Sequence, residues 1–202
     1  MTQIESPYGP VRNTNGCVWR YEPRTHRVER YIPYNYANPH GHVFDEFGQD
    51  FMTDGTGNVN YYCLPFSGHL PEPQKHGGYF SFFQQRSRPC AATEMLYSRH
   101  FPEENWGSYL IANVIGFRGI FQYKVVDDGS GFGAVEMDPL VQSSDLNFRP
   151  ADIEVGPDGA VYFLDWHNAI IGHLQHHIRD PSRDMRHGRV YRVVHELSLI
   201  HI

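Results

Sequence analysis

The sequence predicts an all-β fold, a partial β-propeller of about three and a half four-stranded blades with one short insertion helix, in a chain of 202 residues. Two observations lead there. The 19 glycines and 14 prolines are spread along the whole chain, which breaks long helices and suits many turns between short strands. A strand, tight turn, strand, Asp unit also recurs, running from Phe44 through Glu46-Phe47-Gly48 to Asp54 and again from Val155 through Pro157-Asp158-Gly159 to Asp165. An ordinary β-sandwich with coincidental hairpins is the alternative, but sandwich strands recur every ~8–12 residues without this longer period.

The elements follow in order. Residues 16–32 read as the tail of a first blade, because Cys17-Val18-Trp19-Arg20-Tyr21 follows a glycine and alternates apolar with polar, the period of a strand. The same closing signature returns at Ile120-Phe121-Gln122-Tyr123-Lys124 and at Arg189-Val190-Tyr191-Arg192-Val193. Blades start at about Pro39, Ala92 and Pro150, a period near the ~50 residues of propeller repeats. The middle unit is the weakest copy: Thr93–Tyr97 leads through a loop with Pro102 to Gly107–Ala112, then to Gly119–Val125. Ile171, Leu174 and Ile178 fall on one helical face between Asn168, a possible N-cap, and Pro181, so residues 169–180 are expected to form the insertion helix. Residues 195–202 match no repeat and read as a non-native tail, with a short extra strand as the alternative. Closed propellers have ~4–8 blades, so residues 1–194 are expected to be a fragment of a longer propeller.

Composition narrows the function. Hydrophobic residues make up 40% and aromatics 14%, enough for a core built from rings. The net charge is −6, and Lys75 and Lys124 are the only lysines, so the electrostatic footprint of a nucleic-acid binder is absent. Cys17, Cys63 and Cys90 offer no C-x-x-C spacing, which excludes a zinc ribbon, a thioredoxin-like site and a haem attachment in this chain. No stretch approaches the ~18 apolar residues of a membrane span.

In a blade counted from the channel outward, the connections into the first strand and those between the second and third strands share one face of the disc. That face is expected to collect Asn38, His40, Arg88, Cys90, Asn147 and Arg149 from the first kind, and Asp54, Asn58, Asn113, Asp165, Trp166, His167 and Asn168 from the second. Asp165-Trp166-His167-Asn168 places an acid, an indole and an imidazole at one strand end, where the structural alternative is an Asp that caps its own turn. His173 and His177 have a metal-compatible spacing, but the Glu of H-E-x-x-H is missing. The run from Arg179 to Arg189 alternates sign and is expected to pin the insertion by ion pairs.

Tyr34-Asn35-Tyr36-Ala37-Asn38-Pro39-His40-Gly41-His42-Val43-Phe44-Asp45 resembles the Y-G-x-R-N-P-Q-G-L-A-F-D motif of soluble quinoprotein glucose dehydrogenase-like six-bladed propellers. Residues 7–194 look closer still to the membrane-bound dehydrogenase domain of planctomycete-type haem-binding proteins, through Ser87-Arg88-Pro89-Cys90, Asn113-Val114-Ile115-Gly116-Phe117, Asn147-Phe148-Arg149-Pro150 and the stretch from Gly156 to Arg192. The resemblance implies a periplasmic or extracellular dehydrogenase domain that oxidises a sugar or alcohol and passes electrons to a haem domain elsewhere in the parent. Calcium and pyrroloquinoline quinone are the cofactors it suggests. Of the Arg-Asn pair that contacts the quinone, only the Asn transfers, onto Asn38, and Ala37 stands where the arginine would be. His40, Asp165 and His167 are the candidate catalytic residues, Asn38 the candidate cofactor contact, and Arg88, Asn113 and Trp166 the candidate substrate contacts. A non-catalytic propeller that binds glycan or protein as a scaffold is the second reading, and a lactonase-like hydrolase with a central metal the third.

Overall fold

The computed structural model describes residues 2–72, 81–84, 87, 89–172 and 177–196. It is built almost wholly of antiparallel strands arranged as propeller blades. A small hairpin, β1 (Thr2–Ile4) with β2 (Val11–Asn13), precedes a two-stranded sheet of β3 (Gly16–Glu22) and β4 (Arg27–Tyr36). The next sheet runs in chain order through β5 (Pro39–Phe44), β6 (Asp50–Asp54), β7 (Val59–Tyr62) and β8 (Ser81–Gln84). A third holds β9 (Cys90–Leu96), β10 (Ser108–Asn113), β11 (Gly119–Asp128) and β12 (Gly131–Glu136), with the short β13 (Val141–Gln142) pairing the first residues of β11 on the same edge as β12. The last contains β14 (Pro150–Val155), β15 (Val161–Asp165) and β16 (Arg189–Val193). Each sheet is a meander, so each hairpin turn reverses the chain and consecutive strands pair.

The core lies between the blades. Ile32, Tyr34 and Tyr36 of β4 pack on Met52 and Tyr61. Phe51 and Phe82 pack on Met95, Tyr109, Ile111 and Phe121. Leu96, Leu110, Ala112 and Ile120 pack on Ile153, Val161 and Phe163. Every residue of β6 and of β10 is buried, because a strand in a blade with neighbours on both sides has no wet face. Phe51 and Met52, adjacent in sequence, therefore serve two different interfaces. β15 differs: Leu164 is exposed and pairs with exposed Val190, so burial alternates along the strand. A buried polar pair crosses the second interface, where the Thr53 hydroxyl donates to Asn60 Oδ1 at 2.7 Å and meets Tyr109 Oη at 2.7 Å.

The expected helix over 169–180 is not formed in its described part: residues 169–172 and 177–180 run as bends and turns, and 173–176 lie outside the described residues. The reason is competition for carbonyls. Arg149 donates to the carbonyls of Asn168 and Ala169, and Arg183 to those of Ile170 and His177. Asn168 Oδ1 accepts the Ile170 N–H at 3.2 Å, an Asx-type turn. The acceptors of a first helical turn are thus held by guanidinium groups. Arg189 completes the pinning, bonded to Asp145 and Asp165.

Candidate functional site

An Asp or Asn recurs at the end of the second strand of each blade, and its side chain turns back onto the backbone. The Asp54 carboxylate accepts the N–H groups of Ala37 and Asn38 at 3.2 Å each and that of Thr56 at 3.0 Å. Asp165 accepts the N–H of Arg149 at 2.7 Å and of His167 at 2.8 Å, and pairs with Arg189 Nε at 2.6 Å. Asn113 does the same work as an amide: its Nδ2 donates to the Pro89 carbonyl and its Oδ1 accepts the Phe117 N–H. Each blade entry is thereby tied to the end of the next strand. The inner strands also bulge within their first three residues, at His40/His42, opposite Ala112/Asn113 and at Pro150/Asp152, which turns the strand ends toward the axis. At the first bulge Gly41 has φ +72° and a Cβ there would collide with the Thr93 hydroxyl, so glycine is required.

These ties frame a cavity of about 580 Å³ where the inner strands β5, β9 and β14 begin, within the range of small-molecule sites. Its lining repeats from blade to blade. The second residue of each inner strand contributes, as His40, Ala91 and Ala151, and so do the residues after each second strand, Thr56, then Val114 and Ile115, then Trp166. The His40 ring lies over Gly55, where any Cβ would strike it. Asn38 lines the same cavity, with its amide bonded to the Thr56 hydroxyl.

Of the residues singled out in the sequence, the cavity brings together Asn38, His40 and Trp166. Asn113 and Asp165 are buried in the walls beneath it, 0% and 2% exposed, and are occupied by the backbone. His167 is held with a left-handed φ of 48° by the Asp165 turn and is not on the lining. Arg88 lies outside the described residues. The sequence reading missed Thr56, Val114, Ile115 and Ala151, whose only signal was their equivalence to marked positions in a neighbouring blade. Cys90 also touches the cavity, but burial pushes its thiol up to about 12, so it stays protonated at neutral pH. Cys17, Cys63 and Cys90 are all buried.

Among the described residues, the donor set offers no partners matched to the cofactors of the quinoprotein resemblance. Pyrroloquinoline quinone carries carboxylates that call for cationic partners, and among the described residues no charged side chain lines the cavity. No group of three or more His, Cys, Asp or Glu among the described residues is placed to hold a metal ion.

Deeper in the channel, Glu94 of β9 shares a second cavity with Asp152 and Glu154 of β14. Burial raises the Glu94 carboxyl to about 7, with Glu154 and Asp152 adding to the rise against the Met95 N–H that it accepts. The folded chain thus binds a proton here that the unfolded chain releases between about 4.5 and 7, and stability falls as pH rises through that window. The wild-type melting temperature should drop between pH 5 and pH 8 by about 3 °C or more relative to Glu94→Gln. Parallel profiles of the two proteins would contradict the assignment.

The successive antiparallel blades define a propeller architecture, and solved structures share it. An oxidoreductase from Thermus thermophilus, described as a glucose dehydrogenase, aligns with TM-score 0.53 and 15% identity, over 81% of this chain and 46% of that one. A second glucose dehydrogenase aligns with TM-score 0.51 and 17% identity, over 67% of this chain and 39% of its own length. The chain therefore spans less than half of these structural relatives, and identities this low establish the fold. Curated protein sequences give no match. By sequence, residues 80–197 match the domain of unknown function DUF7133, and the chain belongs to that family. Among the described residues, no helix is long and apolar enough to cross a membrane.

Proposed function

We propose that the chain forms part of a dehydrogenase-type propeller, outside the cytoplasm, whose channel mouth binds a sugar or alcohol while the two electrons of its oxidation leave, through a two-electron organic acceptor held outside this chain, to a haem domain elsewhere in a longer protein. The cavity lined from three successive blades carries this reading, because it places an imidazole, an amide and an indole around a volume of ligand size. His40 takes the hydroxyl proton of the ligand, a role suited to imidazole near neutral pH. Asn38 and Trp166 position the ligand, and Asp165, Asn113 and His167 hold the walls. The fold likeness to glucose dehydrogenases supports the same class of ligand.

A second reading, a scaffold that binds glycan or protein, is favoured by the saturation of Asp165 and Asn113 with backbone bonds. Titration calorimetry of the chain against aldoses and alcohols separates success from failure. Binding that His40→Ala weakens at least tenfold, and that Phe47→Ala on the opposite face leaves alone, supports the proposal. No binding to any of them, or binding indifferent to His40, rejects it.

A further inference from the structure

The cavity has two unlike walls. Its polar lining comes from the first four-stranded blade, as Asn38, His40 and Thr56; the two later blades supply apolar lining, Val114, Ile115, Trp166 and Ile171. Trp166 is 53% exposed, although its backbone N–H is fixed by the Arg149 carbonyl at 2.9 Å. Trp166 is thus a half-exposed indole on the cavity lining. Ile115 is also exposed at 36%. Exposed apolar surface gathered on one wall of a cavity is a recognition surface for an apolar group.

A free monosaccharide presents hydroxyls around its whole rim. Seated here, the half facing Val114, Ile115 and Ile171 would lose its hydration without gaining hydrogen bonds, a penalty that falls on each unpaired hydroxyl. An anionic sugar is disfavoured further, since among the described residues no cation lines the cavity to pair with it. A ligand with a hydroxylated end and an apolar ring satisfies both walls: hydroxyls meet Asn38, His40 and Thr56, and the ring stacks on Trp166.

Building on the sugar or alcohol reading above, we infer that the ligand of this site is neutral and amphipathic, an aryl-bearing hydroxyl compound such as an aryl glycoside or aryl alcohol, in place of a free sugar or a sugar acid. The orientation follows from the walls, with the hydroxyl to be oxidised or held at His40 and the aryl group against Trp166.

Calorimetry of the chain with phenyl β-glucoside, glucose and glucuronate tests this. The phenyl glucoside should bind at least tenfold more tightly than glucose, and glucuronate more weakly than either. Trp166→Ala, a half-exposed position where the fold should survive, should bring the phenyl glucoside down to the affinity of glucose, and Ile115→Ser should reduce the same preference. Equal affinity for glucose and phenyl glucoside overturns the inference and leaves the parent reading standing. An aryl preference unchanged in Trp166→Ala also overturns it. If none of the three ligands binds, both fall together, and that outcome is recognised by the flat titration of glucose as well.

Discussion

Replacing Asp165 by alanine should cost about 3–5 kcal/mol of stability, the scale for removing one partner of a buried charged network. The carboxylate accepts two backbone N–H groups and an Arg189 bond within 2.8 Å. Its side chain is fully buried. Alanine leaves the Arg149 and His167 N–H groups without acceptors and gives Arg189 only Asp145. Asp165→Asn keeps a carbonyl oxygen for the two N–H groups and loses the charge, so its cost should be smaller, about 1–3 kcal/mol. Chemical denaturation measures both. The comparison also decides the role of the residue: if Asp165→Asn folds and retains ligand affinity at the channel mouth, Asp165 is structural, whereas loss of binding with an intact near-ultraviolet spectrum would return it to the chemistry.

Phe51→Ala should be comparably severe, about 3–5 kcal/mol, from lost burial and the cavity left behind. Phe51 is fully buried, and its ring meets Phe82, Tyr109 and Phe132 at centroid distances of 5.2, 6.1 and 5.4 Å. These rings come from β6, β8, β10 and β12, so the substitution acts on the whole joint between two blades. Phe51→Leu should lose about 1.5 kcal/mol or less by keeping most of the volume. A Phe51→Ala unfolding free energy within about 1 kcal/mol of wild type would show that the two blades do not close on this ring.

The blade architecture could be read because its determinants are local. Pro157-Asp158-Gly159 forces a turn, Val161-Tyr162-Phe163-Leu164 prefers a strand, and an Asp ends that strand. The meeting of Asn38, His40 and Trp166 followed from connectivity, which assigns each connection to a face whatever its sequence. Side-chain direction was beyond reach. Asp165 at a strand end could face the channel or its own backbone, and the two differ only in a torsion that no sequence pattern encodes. The periodicity of Ile171, Leu174 and Ile178 could not register that Arg149 and Arg183 claim the carbonyls of that segment. Glu94 was missed because its shift comes first from burial in the folded blades and then from Glu154 and Asp152, on a strand of another blade.

The ties at Asp54, Asn113 and Asp165 have a consequence for how such a site can change. They fasten the rim through main-chain amides and carbonyls, which every residue except proline supplies in full. The positions that line the cavity, His40, Ala91 and Ala151, bear little of that fastening. Selection can therefore exchange an imidazole for a methyl group at the rim, or the reverse, without rebuilding the frame. A lineage of such chains would be expected to diversify in ligand far faster than in shape.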